Sequence, residues 1–224
     1  MKKPTTFNTL VISEEMKYEG VTVLTYRIEY PEFASDTYKK TIRAINQYYK
    51  DKALALQNYF RTKLYRMAVD QYLDDIKNGF PVRVFEGLQI FKVTYDKACI
   101  ISLYFDNYQY TGGAHGLTVR TSQTWNLKTG KMIKLRELYN CRGNYKSYIK
   151  NKIIEQIKEN PDSYFENYEE LVEQTFDVNN FYCTPQGVVV YFQQYDIAPY
   201  ASGIREFLLP YNRCIIDPVR KCTK

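Results

Sequence analysis

The residues with the most chemical potential lie at 110–119, Tyr-Thr-Gly-Gly-Ala-His-Gly-Leu-Thr-Val, where three glycines surround His115, the only histidine in the chain. An imidazole titrates near neutrality and can act as a general base, a proton shuttle or a metal ligand. Glycine-rich backbone can also cradle phosphate. Each of these roles needs neighbours. A general base needs a nucleophile and an orienting acid beside it. A metal needs Asp, Glu or Cys partners, and no ligand spacing in the sequence proposes them. A phosphate cradle needs a helix starting directly after the glycines, because the open amides of its first turn hold the anion. Here strand-like sequence lies on both sides, and the spacing matches neither GxGxxG nor a P-loop. Thr129-Gly130-Lys131 is no Walker motif either, since Trp125 occupies the place of its first glycine. Gly112, Gly113, His115 and Gly116 therefore read as a structural turn, with the glycines supplying positive φ or close backbone approach.

Other candidate groups reduce in the same way. Glu166/Glu170 and Glu169/Glu173 stand at helical intervals and read as a solvated face, with no marked cleft to make them a glycosidase pair. Trp125 could stack on a sugar, but a lone strand tryptophan reads more simply as half-buried. The five cysteines, Cys99, Cys141, Cys183, Cys214 and Cys222, are odd in number and contain no CxxC pair. That pattern predicts mostly free thiols, with one bridge among the later cysteines allowed, and no zinc site. No cofactor is expected.

The chain has 224 residues, 45% of them hydrophobic and 25% charged, so it can bury a core. No apolar run is long enough to cross a membrane, and the first residues carry no apolar segment typical of a signal peptide. Net charge is +6, but the charge is bipolar. From Glu159 to Tyr200 there is no Lys or Arg, and that stretch carries eight carboxylates. A nucleic acid would need one continuous basic face, so none is expected as a partner. An acidic face can instead steer a basic protein. The 23 tyrosines exceed what a core needs and suit contact surfaces for proteins or sugars.

These residues need a scaffold. Residues 8–16 and 20–30 alternate as two strands, turning at Glu19-Gly20. Residues 37–78 lack Pro and Gly. Their apolar residues Tyr38, Ile42, Ile45, Tyr49, Ala53, Leu56, Phe60, Leu64, Met67 and Leu73 recur mostly at three and four, predicting one long helix, or two nearly collinear ones, of about 60 Å. Two strands over 82–110, another over 117–127, short helices at 135–139, 144–158 and 163–175, and closing strands "GVVVYFQQY" and "EFLLPYNRCI" follow. The order predicts an α+β fold, a mostly antiparallel sheet packed on one long N-terminal helix, with further helices before the closing hairpin. A boundary near 97 divides residues 8–97 from 98–216.

"YQYTGGAHGLTVRTSQTWNLKTGKMIKLRELY" and "VVVYFQQYDIAPYASGIREFLLPY" resemble the signature segments of the RsiV-like family of bacterial cell-envelope domains, over residues 98–212. Residues 8–95 resemble the companion domain that usually precedes it. Asn126 departs from the Asp usual in that family. The resemblance implies a non-enzymatic, extracytoplasmic or cell-surface module. Some members are sensor domains of anti-sigma factors that bind lysozyme, and another precedes the catalytic domain of a peptidoglycan deacetylase. The loop Tyr195, Asp196, Pro199 and Tyr200 is then the candidate ligand contact. Three functions stay open: a module binding lysozyme or another basic envelope protein, a peptidoglycan or wall-polymer binder, and an envelope enzyme using His115. The net charge opposes the first by long-range repulsion, whereas the acidic segment favours it.

Overall fold

The computed structural model describes residues 5–223. Strands β1 (Thr6–Tyr18) and β2 (Val21–Ala34) precede helix α1 (Lys39–Tyr59), a π-helical turn (Phe60–Leu64) and helix α2 (Tyr65–Asn78). Then come β3 (Phe85–Lys97), β4 (Ile100–Tyr110), β5 (Leu117–Asn126) and β6 (Lys131–Met132). Helices α3 (Tyr145–Ile157) and α4 (Tyr168–Thr175) and strands β7 (Phe181–Cys183), β8 (Gly187–Phe192) and β9 (Arg205–Pro210) complete the chain. Strands pair in the orders β1-β2-β3-β4-β5-β6 and β7-β8-β9. The class is α+β and mostly antiparallel, as the sequence pattern requires. One pair departs from it: β2 and β3 run parallel, because the long helix returns the chain to the starting end of the sheet.

The chain forms two compact units. The first comprises Thr5–Phe91 and Phe105–Val119, the second 92–104 and 120–223. In the first, Ile42, Ile45, Tyr49, Ala53, Phe60 and Leu64 bury the helix stripe, and Val23, Leu24, Tyr26, Ile28 and Phe33 of β2 are buried too. Phe60 lies over Gly87, where a Cβ would come within 2.7 Å of the ring, so only glycine allows the helix this close to β3. The π turn also resets the stripe. Its extra residue rotates the next turns, so Ala68 is buried while Met67 and Leu73, expected inward, are each 47% exposed. At the helix end, Asp75 is fully buried and accepts several hydrogen bonds from Arg83, one of whose nitrogens also donates to the Gly112 carbonyl at 3.3 Å. These bonds hold the Asp75 carboxyl at a pKa of about 2.

In the second unit, Ile149, Ile153 and Ile157 of α3, Val172 of α4 and the whole of β8 are buried. Asn144 caps α3, its side chain accepting the Lys146 amide at 2.9 Å. Two expectations are corrected here, and one strand is added. The helix expected over 163–175 is only the shorter α4, Tyr168–Thr175, preceded by a 3-10 turn at Pro161–Ser163 and a non-helical stretch up to Asn167. A three-residue strand, β7, was too short to be legible. The cysteines are not mostly free: Cys99–Cys222 and Cys141–Cys214 are disulfides, and only Cys183 remains a thiol. Spacing could not reveal bridges spanning 123 and 73 residues, because β3–β4 and the terminal segment meet only in three dimensions.

Asn126 shows why its departure from Asp is accommodated. Its side-chain oxygen accepts the Lys128 amide at 2.9 Å, the turn bond that either residue makes. Its Nδ2 also donates to the Lys221 carbonyl at 3.1 Å, which an aspartate cannot do. Trp125 is buried in the sheet.

Candidate functional site

The segment 193–204 links β8 to β9 and contains the candidate ligand contacts. Ile197 and Ala198 are buried and anchor it. The Phe165 amide donates to the Ile197 carbonyl at 3.1 Å, and the Ser202 hydroxyl donates to the Ser163 carbonyl at 3.2 Å. A 3-10 turn, Tyr200–Ser202, follows Pro199 and ends at Gly203, whose φ of 65° suits glycine. The loop is therefore wired from below and open above.

Tyr195 and Pro199 are exposed on it, and Tyr200 is half-buried. Tyr195 is 49% exposed and sits at φ 70°, in the left-handed region that a tyrosine rarely adopts. Its ring lies 5.8 Å from that of Tyr200. Pro199 is exposed beside them. Asp196 turns inward instead. Its carboxylate accepts the Gln193 amide at 2.7 Å, and burial raises its pKa from the usual carboxylate range. The structure thus brings Tyr195, Pro199 and Tyr200 together as a surface, and gives Asp196 to the loop's own frame.

The frame extends to residues that sequence reasoning missed. The Gln193 side chain bonds both backbone groups of Arg120, accepting at 2.9 Å and donating at 2.8 Å. The Arg120 side chain is only 9% exposed, pairs with Glu206 and lies 3.8 Å over the Tyr104 ring. Tyr182 donates to Glu206 at 3.0 Å. Burial, and then the Glu206 charge, raise the Tyr182 phenol above its ordinary range. An arginine within alternating strand sequence signals a solvated face, so nothing in the sequence marked this cage. It absorbs Tyr104, Tyr182 and Tyr191, part of the tyrosine excess.

The acidic segment is less negative in the fold than in the sequence. Lys150 of α3 and Lys158 at its C-terminal end pair with Glu173 and Glu169 of α4. Glu159, Asp162, Glu166, Glu170 and Asp177 remain exposed. The steering charge expected of this stretch is accordingly reduced.

The Gly-Gly-Ala-His-Gly segment lies in the other compact unit. Gly112 has φ 82°, and a Cβ on Gly116 would meet the Gln109 carbonyl at 2.6 Å. Gly113 needs neither freedom, its nearest neighbour being 3.9 Å away. His115 is exposed, its Nδ1 3.3 Å from the Gly116 carbonyl. Among the described residues, no group of three or more His, Cys, Asp or Glu could hold a metal ion. The Cys183 thiol is buried and pushed up to about 12 by that burial, so it is a poor nucleophile. No helix among the described residues is long and apolar enough to cross a membrane.

Residues 19–118 match the family described as Deacetylase PdaC, and residues 137–212 match the protein of unknown function family DUF3298. The two matched segments follow one another along the chain. Among curated proteins, none matches. The crystal structure of a DUF3298 family member from Bacteroides fragilis is similar at a TM-score of 0.72 and 21% identity, covering 100% of this chain and 99% of that one. A DUF3298 family protein from Pseudomonas aeruginosa is similar at 0.56 and 16%, covering 96% of this chain and 95% of that one. At these identities the likeness carries the fold alone.

Proposed function

We propose that the chain is a non-enzymatic binding module working outside the cytoplasm, and that Tyr195, Pro199 and Tyr200 form its contact for lysozyme or another basic envelope protein. The observation that carries this reading is the backbone of Tyr195. A left-handed tyrosine costs about 1–3 kcal/mol; such strain persists only where surrounding contacts hold it, and it clusters at ligand-contact sites. Here it turns a large ring outward against Tyr200, on a loop fixed by the Gln193 and Ser202 bonds. A rigid aromatic pair loses little entropy on binding, which makes it a good anchor for a partner's cleft. The resemblance of the same loop to RsiV-like domains supports the choice of partner. Two disulfides support an oxidising compartment, since such bridges persist outside the cytosol.

Calorimetric titration with a basic animal-type lysozyme, at low and moderate salt, tests the reading. The expected result is 1:1 binding at micromolar affinity or better, weakened at least tenfold by Tyr200→Ala. Heat that is absent at both salts removes lysozyme as the partner. A peptidoglycan-binding role is the second reading, favoured by the aromatic group Tyr139, Tyr145 and Tyr148, whose rings lie 5.3–6.4 Å apart. Pelleting with purified sacculi at low ionic strength distinguishes it.

A further inference from the structure

The first unit contains a cleft of about 280 Å³ lined by Leu10, Tyr30 and Glu32 of the β1–β2 hairpin and by Arg43, Gln47 and Lys50 of α1. We infer that this cleft binds a carboxylated sugar, with Arg43 and Lys50 holding the carboxylate. Positions 43, 47 and 50 recur at four and three, so the three side chains share one helix face, and the two cations stand about 10 Å apart along it. Asn46 fixes the wall: its side chain accepts the Phe33 amide and donates to the Phe33 carbonyl, both at 2.9 Å. The cleft therefore does not depend on a loop for its shape.

The charges are arranged for a ligand. Arg43, Lys50 and Glu32 form no ion pair among the described residues. Two cations beside a concave surface attract an anion, and an arginine fork matches a carboxylate. Glu32 narrows the choice. Its carboxylate repels a compact polyanion but accepts hydrogen bonds from hydroxyls, so the lining suits a molecule carrying both a carboxylate and several hydroxyl groups. Leu10 and Tyr30 supply an apolar floor for the C–H face of a ring. The volume falls just below that of drug-sized pockets, which limits the occupant to about one ring. None of these residues belongs to the 193–204 loop, so the inference stands or falls apart from the partner proposed for that loop.

The test is a titration of the full chain, isotopically labelled, with sodium D-glucuronate at low ionic strength, followed by amide chemical shifts. The expected result is saturable shifts confined to Leu10, Tyr30, Glu32 and residues 43–50, with a dissociation constant on the order of millimolar. Arg43→Gln combined with Lys50→Gln should weaken binding at least fivefold. Both positions are exposed, so the unliganded spectrum elsewhere should overlay that of the parent. D-glucose should give no saturable shift. The inference is overturned by absence of saturation with glucuronate, by equal binding of glucose, or by equal binding in the double variant. Inorganic phosphate binding as tightly as glucuronate would also overturn it, by reducing the cleft to a bare anion site.

Discussion

Removing the Cys99–Cys222 bridge should cost the protein a large part of its stability. The perturbation is Cys99→Ala with Cys222→Ala, which leaves no buried hydroxyl behind. Alone, the bridge closes a loop with a sequence separation of 123, for which the chain-entropy relation gives about 5 kcal/mol. The second bridge, Cys141–Cys214, lies inside that loop and shortens it. With that bridge intact, the path from 99 to 222 is about 50 residues, and the expected contribution falls to about 4 kcal/mol. Bonds from Asn126 and Lys128 to the carbonyls of Lys221 and Cys222 tie the same segment. They depend on the terminal segment staying docked, so losing the bridge exposes them to fraying. For a chain of this length, 4 kcal/mol corresponds to a fall in Tm of about 8–16 °C. Urea and thermal unfolding of the double variant measure this, with the parent in reductant as a second arm. A loss below about 1 kcal/mol, with the parent equally indifferent to reductant, would refute the claim that the bridges staple this unit.

Four further outcomes follow from individual contacts. Gly187→Ala places a Cβ 2.3 Å from the Leu209 carbonyl, so β8–β9 pairing should fail, with a loss of about 3 kcal/mol or more in urea unfolding. Gly116→Ala should be similarly damaging, whereas Gly113→Ala should stay within about 0.5 kcal/mol of the parent. Asn126→Asp should cost about 1–3 kcal/mol, because a carboxylate would face the Lys221 carbonyl where an amide now donates; denaturant midpoints at neutral pH check it. Asp75 has a depressed folded-state pKa, so its stabilisation is present above the unfolded value near 3.8 and is lost as pH falls toward about 2. Urea midpoints across that window should drop less steeply for Asp75→Asn than for the parent.

The elements that were legible in the sequence are those whose periodicity a single chain segment determines. The stripe Ile42, Ile45, Tyr49 and Ala53 announced the helix and its buried face. The stripe misled after Phe60, because a π turn adds a residue without a sequence signal and moves Met67 outward. Pairing at long range was not legible at all. The bridges depend on which segments the fold brings together, and so does the cage around Arg120, a residue whose type argues for solvent. The 193–204 segment was legible as a loop, through Pro199 and Gly203, but the direction of its side chains was not. Asp196 looked like the loop's charged contact, yet its carboxylate accepts the amide of Gln193, three residues back, and is drawn into the loop. The charge of 159–177 was misjudged for the same reason, since the lysines that offset it come from another helix.

Entry of Tyr195 and Tyr200 into the cleft of a basic muramidase, as proposed, is tested most directly by lysozyme activity on cell-wall substrate in the presence of increasing amounts of the purified protein. Hydrolysis should be lost completely near one equivalent and largely restored when Tyr200→Ala replaces the parent. Full hydrolysis in the presence of excess parent protein would contradict the proposal.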